Sequence, residues 1–249
     1  GIANYYASTY YDGNDYGSVL VKTREARPIF IKGNRDHGIS NGALNARMNS
    51  SVLSLYDSAR LQGPMVNGAS ASWSAADKAA MDGLSGAKNV VVLSNTIVSP
   101  STQCAINVFT SKFNAKHVQY DSISYSGMRE ANRMTLGKAI IPSYKFNNAK
   151  VIVSIGADFL ANWLTSNLYA PDYAMRRKPE GEWMSRHFQF EGQMALTGTN
   201  ADTRVQIKPD QEGKVAAAIL AGLTGGNASV EGVAEMALNN AVNALKANK

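Results

Sequence analysis

Two short runs of β-branched residues constrain the fold of this chain more than any other feature. The segments 89-NVVVLSN-95 and 150-KVIVSIGAD-158 are apolar runs bounded by polar residues. This pattern is typical of strands buried on both faces of a parallel sheet. A helix is predicted between them over about 100–113, with Pro100 in its first turn. Strands that alternate with helices predict a Rossmann-like, mostly parallel sheet with flanking helices on both sides, an α/β fold.

The remaining elements of this pattern also have local signals, mainly capping residues and terminating glycines or prolines. They are a helix over 72–88, a strand over 117–120, a helix near 127–137, a strand in 204–213 closed by Pro209, a helix from Asp210 to about Gly222, and a final helix capped by Ser229.

The start of the chain is predicted to be β-rich. In 18-SVLVKTREARPIFIKGN-34, two β-prone runs flank 24-REA-26, which indicates a hairpin. The segment 4-NYYASTYYDGNDYG-17 contains five tyrosines. Tyrosine is β-prone and amphipathic, so this segment predicts an edge strand, a turn at Asp12–Gly13 and an interface.

The size of the chain fits a division into two parts. With 249 residues, of which 45% are hydrophobic, it can bury a substantial core. We predict a β-rich N-terminal module at 1–65 and a Rossmann-like α/β domain at 66–249. No apolar run approaches the roughly 20 residues of a membrane span. The start shows no signal-peptide core, and we expect a mature or trimmed piece of a longer protein.

The charge pattern and the cysteine count exclude several functions. The net charge is +6, but Lys and Arg are scattered without a run of five, so we expect no nucleic-acid partner. The single cysteine, Cys104, lies in an apolar helical pattern and is predicted to be buried and inert. One thiol can form neither an internal disulfide nor the ligand set of an iron–sulfur cluster.

The loops after the predicted strands lack a dinucleotide fingerprint. Such a fingerprint places G-x-G-x-x-G after the first strand, where backbone N–H groups approach the pyrophosphate. The first loop, 94-SNTIVSPS-101, has no glycine, and 154-SIGADFLANW-163 has one glycine followed by Asp158. We predict Asp158 to be a local cap, because a carboxylate there repels phosphate.

The histidines and the basic cluster predict no catalytic centre. His37, His117 and His187 lack zinc-site spacing, and no nucleophile motif accompanies them. Glu191 follows His187 by four residues, but one such pair is not a triad. The cluster 176-RRKPEGEWMSR-186 is predicted to be a solvated loop, with contact to an anion or a partner as the alternative. We therefore name no catalytic, cofactor-binding or metal-binding residue.

A family resemblance covers nearly the whole chain. The segment 19-VLVKTREARPIFIKGNRDHGISNGALNARMNSSVLSLYDSARLQGP-64 resembles the N-terminal module of the molybdopterin oxidoreductases. Segments 144–163 and 196–220 follow in the same order. The start Y-Y-A-S-T, with the later G-A-D-F-L and L-T-G-T-N-A-D, is similar to the large iron–sulfur subunit of alternative complex III, a bacterial quinol:electron-acceptor oxidoreductase.

The departures from the family pattern concern the cofactors. In metal-bearing members, three N-terminal cysteines and one in G-x-L-C hold a [4Fe–4S] cluster. Here the tyrosine-rich segment 4–17 stands at the first three positions and Asn45 at the fourth. We expect the tyrosines and Asn45 to fill the volume of the cluster. Leu44, Met48, Val52 and Leu55 predict an apolar stripe on a helix in this region.

The resemblance implies a cofactor-free, non-catalytic portion of a subunit. Iron–sulfur clusters are then expected in a ferredoxin-like part of the same subunit, and haem c in a partner. The implied partners are a multi-haem cytochrome c and quinol-binding membrane subunits. The implied location is the periplasmic face of the inner membrane, peripheral, after export by a twin-arginine signal that this chain does not contain.

Two alternatives stay open at this point. The first is an active molybdopterin-dependent oxidoreductase whose cofactor contacts lie partly outside this segment. The second is a Rossmann-type nucleotide-binding enzyme, which the glycine-free loop 94–101 disfavours. Metal content separates the first from the cofactor-free scaffold, and a co-purifying nucleotide would identify the second.

Overall fold

A computed structural model describes residues 1–248, and the α/β fold predicted from the sequence is confirmed. The strands are β1 Asn4–Tyr11, β2 Tyr16–Arg24, β3 Arg27–Gly33, β4 Met65–Val66, β5 Ala69–Ser70, β6 Val91–Ser94, β7 Lys116–Gln119, β8 Val151–Ile155, β9 Arg186–Glu191 and β10 Thr203–Gln206. The α-helices are α1 Ala46–Ser50, α2 Trp73–Gly86, α3 Pro100–Phe113, α4 Ser126–Leu136, α5 Ser166–Met175, α6 Leu196–Thr199, α7 Glu212–Leu223 and α8 Glu235–Ala247.

The N-terminal sheet is antiparallel, with the order β1-β2-β3. The predicted hairpin is confirmed, and its turn residues Glu25 and Ala26 have φ angles of 50° and 62°. Positive φ at both central positions matches the right-handed twist of the flanking strands. The predicted edge strand and the turn at Asp12–Gly13 are also confirmed, because β1 pairs with β2 alone and Gly13 has φ 92°.

A loop and a short helix close over this sheet. Met48, on α1, is fully buried together with Val19 and Ile31 from the sheet. The predicted stripe is only partly correct, because α1 gives way to a 3-10 turn at Ser51–Tyr56 in which Leu55 is exposed. Short 3-10 segments rotate side chains differently from an α-helix, and the stripe therefore ends early.

The parallel sheet has the order β10-β9-β8, with β9 at its centre. On one face, Phe188 and Phe190 pack in a buried cluster with Val215 of α7 and Leu238 of α8. The sequence prediction missed β9, because one of its two buried faces carries polar residues. It also placed the start of the last helix too early. The helix begins after Ala234, and Ser229 does not cap it.

The chain divides into two compact units, one formed by 1–50 with 143–249 and the other by 51–142. These compact units do not test the predicted domains 1–65 and 66–249, which stay a prediction. Within residues 1–248, no helix is long and apolar enough to cross a membrane.

The unit 51–142 contains the parallel pair β6-β7 and helices α2, α3 and α4. Ser72 and Ser99 cap α2 and α3 through their side chains, and Pro100 lies in the first turn of α3, as predicted. The prediction that 89–95 is buried on both faces is wrong, since Val91 and Leu93 are 57% and 69% exposed. A two-stranded sheet with helices that bury no residue cannot enclose these side chains.

We predict that Gly33→Ala destabilises the protein by about 1–3 kcal/mol, because a Cβ at this position would overlap the backbone carbonyl of Gly42. Gly38→Ala is the matched control. A Cβ there meets nothing within 4 Å, so its effect should stay within about 0.5 kcal/mol. Denaturant unfolding of both variants checks the prediction, and equal stabilities would contradict the close approach of the loop to β3.

Candidate functional site

The central strand β9 carries a row of buried polar side chains. His187, Gln189 and Glu191 point to the face opposite Phe188 and Phe190, and all five residues are at most 4% exposed. Period-two alternation along a strand places these three side chains in one line. Buried polar groups need hydrogen-bond partners, so their contacts define what the site can do.

The polar row forms a continuous hydrogen-bonded chain. The Tyr173 hydroxyl lies 3.1 Å from His187 Nδ1, and His187 Nε2 lies 3.1 Å from Gln189 Oε1. Gln189 Nε2 donates to Glu191 Oε2 over 3.2 Å. Arg204 Nε, on β10, donates to Glu191 Oε1 over 2.6 Å, in an ion pair whose side chains are 21% and 5% exposed. These hydrogen bonds thus link α5 to β10 across the sheet.

Burial shifts the pKa values of the two residues at one end of this hydrogen-bonded row. It lowers the pKa of His187 to about 4 and raises the pKa of Tyr173 to about 12. Nearby, Arg177 and Asp202 form a bidentate ion pair with distances of 2.7 and 2.8 Å. Burial opposes ionisation of Asp202, but hydrogen bonds from Arg177 and from the His187 backbone lower its pKa. At neutral pH the histidine is therefore uncharged.

Two carboxylates occupy the carboxyl edge of the parallel sheet, where α/β folds bind ligands. Asp158 Oδ1 accepts hydrogen bonds from Thr197 N at 3.2 Å and from Thr197 Oγ1 at 2.7 Å. Glu191 Oε1 accepts from Ala195 N at 3.2 Å. Asp158 is thus a cap, as predicted, but it caps α6, 39 residues away along the chain, rather than its own turn.

Two glycines at the same edge lie close to carboxylate oxygen atoms. Gly156 has φ 65°, and a Cβ there would lie 2.5 Å from Glu212 Oε1. A Cβ on Gly198 would overlap the Glu191 carboxylate. Three carboxylates, those of Asp158, Glu191 and Glu212, therefore lie at this edge, and Arg204 is paired with that of Glu191. This donor set does not fit a phosphate-bearing cofactor, because like charges repel in a site of reduced dielectric.

A helix cap occupies the position that the family resemblance equates with a cluster ligand. Asn45 Oδ1 accepts from Met48 N at 3.0 Å, while Asn45 Nδ2 is buried without a partner. A Cβ added to Gly17 would lie 3.0 Å from Met48 Sδ, so the methionine fills the space beside β2. An amide is not a thiolate donor, and these residues do not fit a [4Fe–4S] cluster.

The expectation that the tyrosines fill this volume is wrong for three of them. Tyr5, Tyr6 and Tyr11 are 48%, 58% and 41% exposed. They belong to β1, an edge strand whose side chains mostly face solvent. The sequence pattern identified the strand but not the direction of its side chains.

The other candidate residues do not form a joint site. His37 Nδ1 lies 3.2 Å from Ser40 Oγ, and His117 Nε2 lies 2.9 Å from Ser94 Oγ. Cys104 is exposed rather than buried, because α3 buries none of its residues. Within residues 1–248, no group of three or more His, Cys, Asp or Glu side chains could hold a metal ion.

The basic segment 176–186 is partly ordered by contacts within the chain. The Arg176 guanidinium lies 4.1 Å from the centre of the Trp183 ring, and Arg177 pairs with Asp202. Its last residue, Arg186, begins β9 and is exposed. The segment is therefore a loop that leads into the sheet.

A shallow groove of about 330 Å³ runs beside β8 and is lined by Tyr144, Phe146, Phe159 and Trp163. The rings of Phe146 and Phe159 stack at 4.3 Å, and Tyr144 and Trp163 lie 5.4 Å apart. Burial raises the pKa of Tyr144, so its hydroxyl stays protonated. The groove offers aromatic surface rather than acid–base chemistry.

Sequence reasoning missed Tyr173 and Gln189 and gave His187 no role. One signal was available: the alternation H-F-Q-F-E at 187–191 has the period of a strand with one apolar and one polar face. Helix α5, which positions Tyr173, contains Pro171 and therefore lacks an obvious helical pattern.

The low pKa of His187 predicts a pH dependence of stability. In the unfolded chain the histidine takes up a proton near pH 6.5, but in the folded protein only near pH 4. The unfolded state therefore binds more protons in this window. The free energy of unfolding should be fully retained above pH 6.5 and fall by about 3 kcal/mol as the pH drops to 4.

The variant His187→Gln should lose this part of the pH dependence, while contributions from carboxylates such as Asp202 remain. Denaturant unfolding at a series of pH values measures both proteins. Parallel curves for the two proteins between pH 6.5 and 4 would show that His187 is not the responsible group.

Comparison with known proteins identifies a distant relative. No known protein family matches the chain. Among curated proteins, it is similar to the menaquinone reductase, molybdopterin-binding-like subunit, of Nitratidesulfovibrio vulgaris, with 25% identity over 204 residues. The match covers 78% of this chain and 29% of the relative. The similarity is to a molybdopterin-binding-like subunit and does not single out alternative complex III.

Proposed function

We propose that this chain is a cofactor-free structural and docking portion of a subunit in a quinone-linked electron-transfer complex. The observation that carries the proposal is the carboxyl edge of the β8-β9-β10 sheet, where Asp158 and Glu191 already bind the N–H groups of Thr197 and Ala195. A phosphate would have to displace these carboxylates and overcome their repulsion. The position of Asn45 supports the proposal further, because a helix-capping amide stands where a cluster ligand would be needed.

The redox chemistry is then located elsewhere in the complex. Iron–sulfur clusters belong to a ferredoxin-like part of the same subunit and haem c to a partner subunit. The relative's name supports a quinone-linked complex. More specifically, we propose a membrane-bound quinol:cytochrome c or quinol:oxidase complex of the alternative complex III type, with this portion at the periplasmic face after twin-arginine export. Its membrane association is indirect, through partners.

Metal and pterin analysis tests the cofactor-free state. We predict that the purified subunit contains no molybdenum or tungsten by elemental analysis and releases no fluorescent pterin after oxidation. Iron is predicted to be absent from the folded 1–249 segment and present in the complete subunit. Stoichiometric molybdenum with pterin would overturn the proposal and favour an active molybdopterin-dependent oxidoreductase.

Three exposed tyrosines of the edge strand β1 form the proposed docking surface, with Tyr6 on the opposite side of the strand from Tyr5 and Tyr11. Tyr6 is 58% exposed on an edge strand, and tyrosine is enriched at protein interfaces. We predict that Tyr6→Ser lowers the recovery of partner subunits in affinity purification by about five-fold or more.

Met236→Ser is the matched control, because Met236 is 77% exposed on α8, in the same compact unit. It should leave the recovery unchanged. If both variants recover the partners as well as the unmodified protein does, β1 is not the docking surface. The metal analysis is independent of this outcome.

A further inference from the structure

The Tyr173 hydroxyl faces two acceptors and has one proton to donate. It lies 3.1 Å from His187 Nδ1 and 2.8 Å from the backbone carbonyl oxygen of Asn200. Arg177 Nη2 also donates to that carbonyl oxygen, over 3.3 Å. The carbonyl therefore keeps a partner when the hydroxyl turns away from it. Both hydroxyl orientations are compatible with the surrounding contacts.

The other end of the row fixes the direction of its hydrogen bonds. The Glu191 carboxylate only accepts, and Arg204 ties it to β10. Gln189 must therefore present its NH₂ group to Glu191, since the flipped amide would place two acceptors against each other. Its Oε1 then faces His187 Nε2, which must carry a proton.

These constraints leave two complete arrangements. With a neutral imidazole, Nε2–H of His187 donates to Gln189, and Nδ1 accepts from the Tyr173 hydroxyl. With an imidazolium, Nδ1–H donates to the Tyr173 oxygen, and the hydroxyl turns to donate to Asn200 O. In both arrangements every polar side-chain atom of His187 and Tyr173 has a partner.

The charges around the histidine determine when the proton binds. Burial disfavours the imidazolium most strongly, and Arg177 also disfavours it. Asp202, which accepts from the His187 backbone N–H, and Glu191 favour it. The imidazolium has a complete set of hydrogen bonds, but these do not outweigh the cost of its desolvation. The proton therefore binds only at acid pH or when negative charge arrives nearby.

We propose that His187 and Tyr173 form a buried proton-binding site in which protonation of Nδ1 turns the Tyr173 hydroxyl from the imidazole to the Asn200 carbonyl. One proton from solvent forms the Nδ1–H bond, and no other covalent bond changes. Asn200 directly follows α6, the helix that Asp158 and Glu191 hold at its start. The site therefore links a proton in the interior to the loop at the end of α6.

The histidine tautomer at neutral pH tests this proposal directly. The chain has three histidines, so ¹⁵N-histidine labelling gives few signals, and the variant His187→Gln identifies the relevant one. We predict the Nε2–H tautomer at pH 7, with an unprotonated Nδ1. An Nδ1–H tautomer would overturn the proposal, because Tyr173 would then donate to Asn200 in the neutral state as well. This test does not require the fold to survive at acid pH.

The variant Tyr173→Phe tests the role of the hydroxyl. It removes the acceptor of the charged Nδ1–H, and a charged hydrogen bond contributes more than a neutral one. The pKa of His187 should therefore fall by about one pH unit. Tyr169→Phe is the control, because Tyr169 is buried on the same helix and its ring packs against Tyr144, Phe146 and Trp163.

We expect Tyr169→Phe to leave the pKa of His187 unchanged, as followed by NMR titration. An equal fall in both variants would indicate a general loosening of α5 and contradict the proposal. An unchanged pKa in Tyr173→Phe would contradict it as well.

Discussion

The buried carboxylate of Glu191 is the constraint on which the rest of the site depends. Removing an ionised group from water costs several kcal/mol unless partners replace the hydration, so each of its contacts is required. Arg204 binds it from β10, Ala195 from the start of α6, and Gln189 from its own strand. One charge therefore holds the central strand, an edge strand and the following turn in a single arrangement.

This arrangement decides what the carboxyl edge of the sheet can bind. In α/β folds, backbone N–H groups at this edge are the usual partners of phosphate. Here the N–H groups of Ala195 and Thr197 already have carboxylate partners from Glu191 and Asp158. The α/β architecture is thus present, but the N–H groups at this edge of the sheet are used within the chain. This is the physical basis of the proposed scaffold role.

The sequence predicted the elements whose signals are local. Ser72 and Pro100 identified the starts of two helices, and 24-REA-26 identified the hairpin turn. The sequence prediction failed where contacts between residues distant in sequence determine the structure. Strand β9 was missed because three of its five buried side chains are polar, and their partners lie up to 14 residues away in sequence. The capping of α6 by Asp158 depends on a contact across 39 residues, which no local pattern encodes.

The polar row on β9 is compatible with a scaffold because its directional contacts specify one packing. An apolar row could pack as densely, but it would not fix which group of α5 faces which group of β9. The same row tolerates a proton, because the Tyr173 hydroxyl has two acceptors within reach. Burial keeps His187 neutral at ordinary pH, and the second acceptor gives the charged form a complete set of bonds. The same residues can therefore serve both a scaffold and a proton-binding site, and neither role excludes the other.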